Sequence, residues 1–132
     1  MECPCCSGKP YADCCKPYHD GLLPPTPLAL MRSRYSAYAL GNAEYIIETT
    51  HPNSPYVEKN RKNWKKGILQ FCHSTRFDQL KILDHGEDWV HFIAHLWQGK
   101  ELILNERSSF KKVQGKWLYV KGDYGSADKS IQ

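Results

Sequence analysis

The chain has 132 residues, enough for one compact domain with a small appendage and too short for two full domains. Hydrophobic residues make up 41% and charged residues 24%, which argues against wholesale disorder. No apolar run approaches the ~18 residues of a membrane span, and the opening Met1-Glu2-Cys3-Pro4-Cys5 lacks the basic and apolar regions of a secretory signal, so a cytoplasmic, reducing location is the expectation.

Five of the six cysteines lie between positions 3 and 15, which marks off a cysteine-rich head over 1–20. A Pro-rich linker over 21–27 follows, then a body over 28–125 and a tail over 126–132. Disulfides need an oxidising compartment, and a redox pair needs a Cys-x-x-Cys ahead of a helix in an α/β unit. Neither context is present. Tetrahedral zinc held by thiolates from both ends of Cys3–Cys15 is the remaining reading, with Ser7-Gly8 as the turn that brings the ends together. About 20 residues with few apolar side chains cannot offset chain entropy of roughly 1–2 kcal/mol per residue. Structural zinc supplies on the order of 10–16 kcal/mol. Lys9, Lys16 and backbone N–H groups are the expected compensation for four thiolates around one Zn2+. A site closed by four sulfurs is structural rather than catalytic.

The body opens with helices. Thr26 caps and Pro27 takes the first helical position. Leu28, Met31, Tyr35 and Tyr38 then share one face, with Arg32 and Arg34 on its flanks, and Gly41 is the stop. A short helix over 43–50 ends at His51-Pro52. Ser54-Pro55 predicts the start of a third helix, with Val57, Trp64 and Ile68 on its buried side. That helix carries a basic patch of Lys59, Lys62, Lys65 and Lys66. Residues 56–76 hold six basic side chains against Glu58 alone, suited either to RNA phosphates or to a solvated face.

After Arg76 the pattern alternates. Segments 77–85, 89–98, 101–112 and 116–122 read as strands separated by Gly-containing turns. In 89–98 the face of Trp89, His91, Ile93, His95 and Trp97 and the face of Val90, Phe92, Ala94 and Leu96 are both largely apolar, which predicts a central strand covered on both sides. Helices first and an antiparallel meander second give an α+β fold with the helices packed on one face of a curved sheet.

Few residues suggest turnover. His91 and His95 sit about 13 Å apart on a strand, too far for one ion. Glu106 shares a pleat face with Leu102, Leu104, Ser108 and Phe110, so it needs a partner, and Arg32 or Arg34 is the expected one. Glu106, His95, His51 and Tyr38 are what the chain offers for acid/base work. Ser108-Ser109 lacks a nucleophile elbow, and Cys72 reads as a small buried hydrophobe.

The run Cys3-Pro4-Cys5-Cys6-Ser7-Gly8-Lys9-Pro10-Tyr11-Ala12-Asp13-Cys14-Cys15 resembles the SEC-C motif, a zinc-binding segment found on the SecA translocase and on many uncharacterised proteins. Carried over, its ligands are Cys3, Cys5, Cys14 and Cys15. The motif has glycine where Cys6 stands, which leaves Cys5 and Cys6 as alternatives for the second ligand. Further on, Leu30-Met31-Arg32-Ser33-Arg34-Tyr35-Ser36-Ala37-Tyr38, Thr50-His51-Pro52, Glu106-Arg107-Ser108 and Gly115-x-Trp117-x-Tyr119-x-x-Gly122 resemble the YchJ family of uncharacterised bacterial proteins. That resemblance implies a nuclear-transport-factor-2-like, cystatin-like cone and no established reaction. The combined expectation is a zinc-containing, non-catalytic binding or adaptor protein with a protein partner. The alternatives are a small-molecule binder or acid/base enzyme using the cone cavity, and RNA or ribosome contact through the 59–66 helix. By analogy with the fold, a homodimer through the sheet is a further expectation.

Overall fold

A computed structural model describes residues 1–124; the tail over 126–132 lies outside them. The head contains a 3-10 turn at Tyr11–Asp13 and a short helix α1 at Lys16–His19. Three helices follow: α2 at Pro27–Leu40, α3 at Ala43–Glu48 and α4 at Arg61–His73. Four strands complete the chain: β1 at Arg76–His85, β2 at Trp89–Trp97, β3 at Glu101–Val113 and β4 at Lys116–Tyr124. They pair antiparallel in the order β1-β2-β3-β4. The α+β architecture is the expected one.

Local chemistry sets the helix ends. The Ala29 N–H donates to Thr26 Oγ1 at 3.1 Å with Pro27 just inside the helix, and Gly41 closes α2 at φ 75°, a left-handed conformation that suits glycine. Asn42 and Asn60 cap α3 and α4 through their side-chain oxygens. The third helix therefore begins later than Ser54-Pro55 predicts. Ser54 spends its Oγ on a local turn, accepting from the Tyr56 N–H at 3.3 Å, and the side chain that caps the third helix is Asn60. Val57 lies exposed in the preceding loop, and Lys59 precedes the helix.

α2 is the central post. Leu30, Met31, Ser33, Arg34, Tyr35, Ser36 and Ala37 are all buried, so it is covered nearly all round. Met31, Tyr35 and Tyr38 belong to the side that faces the sheet cavity, while Ser33 and Ser36 serve the head.

The sheet curves through irregularities between Phe77 and Gln79, between Ile82 and Asp84, and between Ser109 and Phe110. Val90, Phe92, Ala94 and Leu96 form its buried face. The opposite face corrects the expectation of cover on both sides: Trp89, His91, Ile93 and His95 are half-buried and Trp97 is exposed. Neighbours within the sheet give them partial cover. Arg107 lies 4.0 Å from the Trp89 ring centre, and His91 Nε2 pairs with Asn105 Oδ1 at 2.8 Å. Among the described residues no helix is long and apolar enough to cross a membrane.

Candidate metal centre and cone cavity

The head is a loop closed on itself. Glu2 and Pro10 form an antiparallel bridge, Cys3 N–H donates to Lys9 O at 3.0 Å, and Gly8 turns the chain at φ 88°. The 3-10 turn then returns Cys14 and Cys15 toward Cys3 and Cys5. The four sulfurs lie within 4.8 Å of one another. Cys5 and Cys14 are separated by 3.6 Å and Cys14 and Cys15 by 3.9 Å. A tetrahedron with metal–sulfur bonds of about 2.3 Å has edges of about 3.8 Å. The donor set therefore fits a four-thiolate metal ion, with Cys3, Cys5 and Cys15 buried and Cys14 partly so.

Cys6 is outside the cluster. It adopts φ 64°, a backbone state that explains why glycine suits this position of the motif, and its exposed sulfur accepts the Leu80 N–H of β1 at 3.4 Å. Of the two alternatives, Cys5 is the one whose sulfur joins the other three.

The surroundings of the sulfurs were not legible in advance. Ser7 Oγ lies 3.1 Å from Cys14 Sγ, Ser36 Oγ donates to Cys15 Sγ at 3.3 Å, and Cys3 Sγ lies 3.3 Å from the same hydroxyl. Arg32 Nη1 donates to Cys5 O at 2.9 Å and reaches Cys5 Sγ at 3.9 Å. Lys16, expected to balance the thiolates, instead pairs with Asp20 at 2.6 Å. Arg32 supplies the cation because α2 runs directly beneath the head. Hydrogen bonding from Cys15 lowers the Cys5 thiol to about 4, while Cys15, which gives that bond, is raised. Burial raises Cys14. A bound cation would replace the protons of the clustered thiols.

His19 fastens head to body. Its Nε2 donates to the Ser33 carbonyl at 2.8 Å, so Nδ1 accepts from Tyr11 Oη at 2.7 Å. Its ring meets Tyr45 edge-on with centres 4.7 Å apart, and Tyr45 Oη lies 2.7 Å from Ser33 Oγ. Cys3, Cys5 and Cys15 share one continuous core with Leu30, Ile46 and Phe92.

Below α2 lies a cavity of about 280 Å3 between helices and sheet. Glu106 and Tyr38 line it, together with Arg34, Ser108 and Tyr119. Glu106 Oε2 accepts from Ser108 Oγ at 2.6 Å and from Tyr119 Oη at 3.4 Å. Gly122 makes room for this carboxyl, because a Cβ there would collide with it. Arg34 Nη1 donates to Ile46 O, Thr49 Oγ1 and Thr50 Oγ1 at 3.1, 2.8 and 3.2 Å, and the guanidinium lies 4.4 Å from the Tyr119 ring centre.

The two candidate histidines lie elsewhere. His95 is in a groove on the outer side of the sheet with Cys6, Asp78 and Glu101. His51 donates its N–H to Tyr119 O at 2.8 Å, and its Nδ1 accepts from the Asn53 N–H at 3.0 Å. Of the expected partners for Glu106, Arg32 is drawn to the head and Arg34 lines the same cavity. In the basic patch, Lys65 and Arg61 both pair with Glu44 at 3.0 Å, while Lys59, Lys62 and Lys66 stand exposed. Cys72 is partly buried against the core, and burial raises its thiol.

Comparison with known proteins adds four findings. A family model described as "YchJ, middle NTF2-like domain" matches residues 26–122. UPF0225 proteins of Serratia proteamaculans and Deinococcus radiodurans are 36% and 39% identical, over 91% and 89% of this chain and 81% and 85% of theirs. The solution structure of a SEC-C motif containing protein from Rhodopseudomonas palustris superposes with a TM-score of 0.77 at 35% identity, covering 96% of this chain and all of that one. A crystal structure of a SEC-C motif containing protein from Psychrobacter arcticus shares the fold, with a TM-score of 0.73 at 24% identity over 93% of this chain and 82% of that one.

Proposed function

Because the chain belongs to the YchJ (UPF0225) family, and its four clustered sulfurs have tetrahedral spacing, we propose that it is a non-catalytic binding module built around one structural zinc. Cys3, Cys5, Cys14 and Cys15 hold the ion, and the cone and head together present the binding surfaces. The spacing of the sulfurs is the observation that carries the reading. Four thiolates complete the coordination, which leaves no position for water or substrate. The ion's work is to fix a head whose own apolar content is small, and through His19 and Ser36 to hold it on α2. A protein is the proposed partner of the head, because Leu22 and Leu23, next to it in the chain, are 59% and 50% exposed.

The test is to remove the metal and follow the two regions separately. Chelation, or paired Cys14→Ser and Cys15→Ser changes, is expected to abolish hydrogen-exchange protection in residues 1–20 and binding of a purified partner. The sheet should still unfold in one cooperative step. Unchanged partner binding without zinc would reject the proposal.

A second reading is favoured by the cone cavity, whose lining includes both Arg34 and Glu106. The rest of the wall is mainly aromatic and aliphatic, a lining with a few convergent polar groups that is typical of small-molecule sites. This supports small-molecule binding by the cone, with the head as its clamp.

A further inference from the structure

The cavity's size, walls and charges together define a ligand. Its volume is about 280 Å3. An apolar cavity of about 150 Å3 holds benzene. The space therefore suits one ring or two fused rings. Aromatic side chains dominate the walls, among them Tyr38, Trp64, Phe71 and Phe92. Such walls favour a flat ring over a flexible chain.

The polar groups gather at one end. Glu106 is held by Ser108 and Tyr119 and seated over Gly122, and Arg34 stands over the same Tyr119 ring. These contacts fix both charged groups before any ligand arrives. Arg34 and Glu106 are opposite in sign, so the lining is balanced as it stands. A ligand with net charge would leave one buried charge uncompensated. Burial raises the Tyr38 and Tyr119 hydroxyls, which keeps both phenols neutral and able to donate. Tyr56 lines the cavity, stacks on Tyr119 and is 45% exposed, so access from solvent lies beside it.

We propose that the cone binds an uncharged one- or two-ring aromatic molecule bearing a single hydroxyl or ring N–H. The polar substituent meets the Arg34 and Glu106 end, and the ring packs against Tyr38, Trp64 and Phe71. The inference rests on reading the cavity as a binding site.

The experiment titrates the zinc-loaded full chain with indole, phenol, naphthalene, benzoate and benzylammonium, followed by amide and methyl NMR shifts. Indole and phenol are expected to move Ala94, Leu96 and Leu104 saturably, at least tenfold more tightly than benzoate or benzylammonium. Ser108→Ala, which removes one donor at the polar end, should weaken indole several-fold and leave naphthalene unaffected. Ala94→Phe fills the space and should abolish all of these shifts while zinc content is retained. If Ala94→Phe disturbs folding, the Ser108→Ala contrast still decides. Tighter binding of a charged probe at the same residues would overturn the ligand class and spare the cavity reading. Failure of every probe, naphthalene included, or shifts confined to residues outside the cavity, would overturn both.

Discussion

The head and the cone reach order by different routes, and α2 is where they meet. The cone buries a continuous apolar layer of Leu30, Ile46, Val90, Phe92, Leu96 and Phe110. The head contributes to that core mainly through sulfur, with Cys3, Cys5 and Cys15 as its buried members. A domain with a full layer of apolar side chains folds on burial alone. A segment whose interior is thiols depends on what the thiols hold. The same helix serves both, giving Met31, Arg34 and Tyr35 to the cavity side and Arg32, Ser33 and Ser36 to the head.

The largest expected effect separates the two regions outright. Cys5→Ala should eliminate metal binding worth on the order of 10 kcal/mol. Proteolysis and hydrogen exchange should then open residues 1–20 while β2 and β3 stay protected. Next comes the cone's buried cation. Arg34→Met removes the guanidinium donor from Thr49 Oγ1 and Thr50 Oγ1, while Ile46 O keeps the Thr50 hydroxyl at 2.7 Å, and should cost about 3–5 kcal/mol in denaturant unfolding. Zinc stoichiometry should not change.

Two smaller effects sharpen the boundary. His19→Ala removes two hydrogen bonds, one to Tyr11 within the head and one to Ser33 of α2, and should cost about 1–3 kcal/mol. The metal should be retained, but exchange across the head should quicken. Gly122→Ala places a methyl where the Glu106 carboxyl sits and should cost about 1–3 kcal/mol. Its shifts should centre on Ser108 and Tyr119 and leave the head untouched. The smallest effect is Cys6→Gly, which relieves a left-handed backbone and should leave metal content and midpoint nearly unchanged.

How much was legible follows from the range of each interaction. Thr26-Pro27 and Gly41 announce α2 because caps act within a few residues. The strands announce themselves through alternation and their glycine turns, and β1 to β4 fall where 77–85, 89–98, 101–112 and 116–122 place them to within a few residues. Ser54-Pro55 misleads because the same local signal also makes a turn, and only the later Asn60 caps the helix. The open outer face of β2 misleads for a different reason. Trp89 and Trp97 look like core residues, yet cation–aromatic contacts with Arg107 and Arg76 let them remain at the surface. Ser36 and Arg32 beside the sulfurs carry no local signal, since the docking that recruits them joins residues 21 and 27 positions apart. The three-residue spacing of Ser33 and Ser36 on the far side of the Met31 and Tyr35 face was the one available hint. The cavity, too, is a product of tertiary packing, though Glu106 on an otherwise apolar pleat pointed toward it.

The most direct test is native mass spectrometry of the reduced full chain beside its Cys5→Ala, Cys14→Ala and Cys6→Gly variants. One zinc per chain is expected in the parent and in Cys6→Gly, and none in the other two. A parent without stoichiometric zinc, or full occupancy surviving loss of Cys5 and Cys14, would contradict the four-thiolate site.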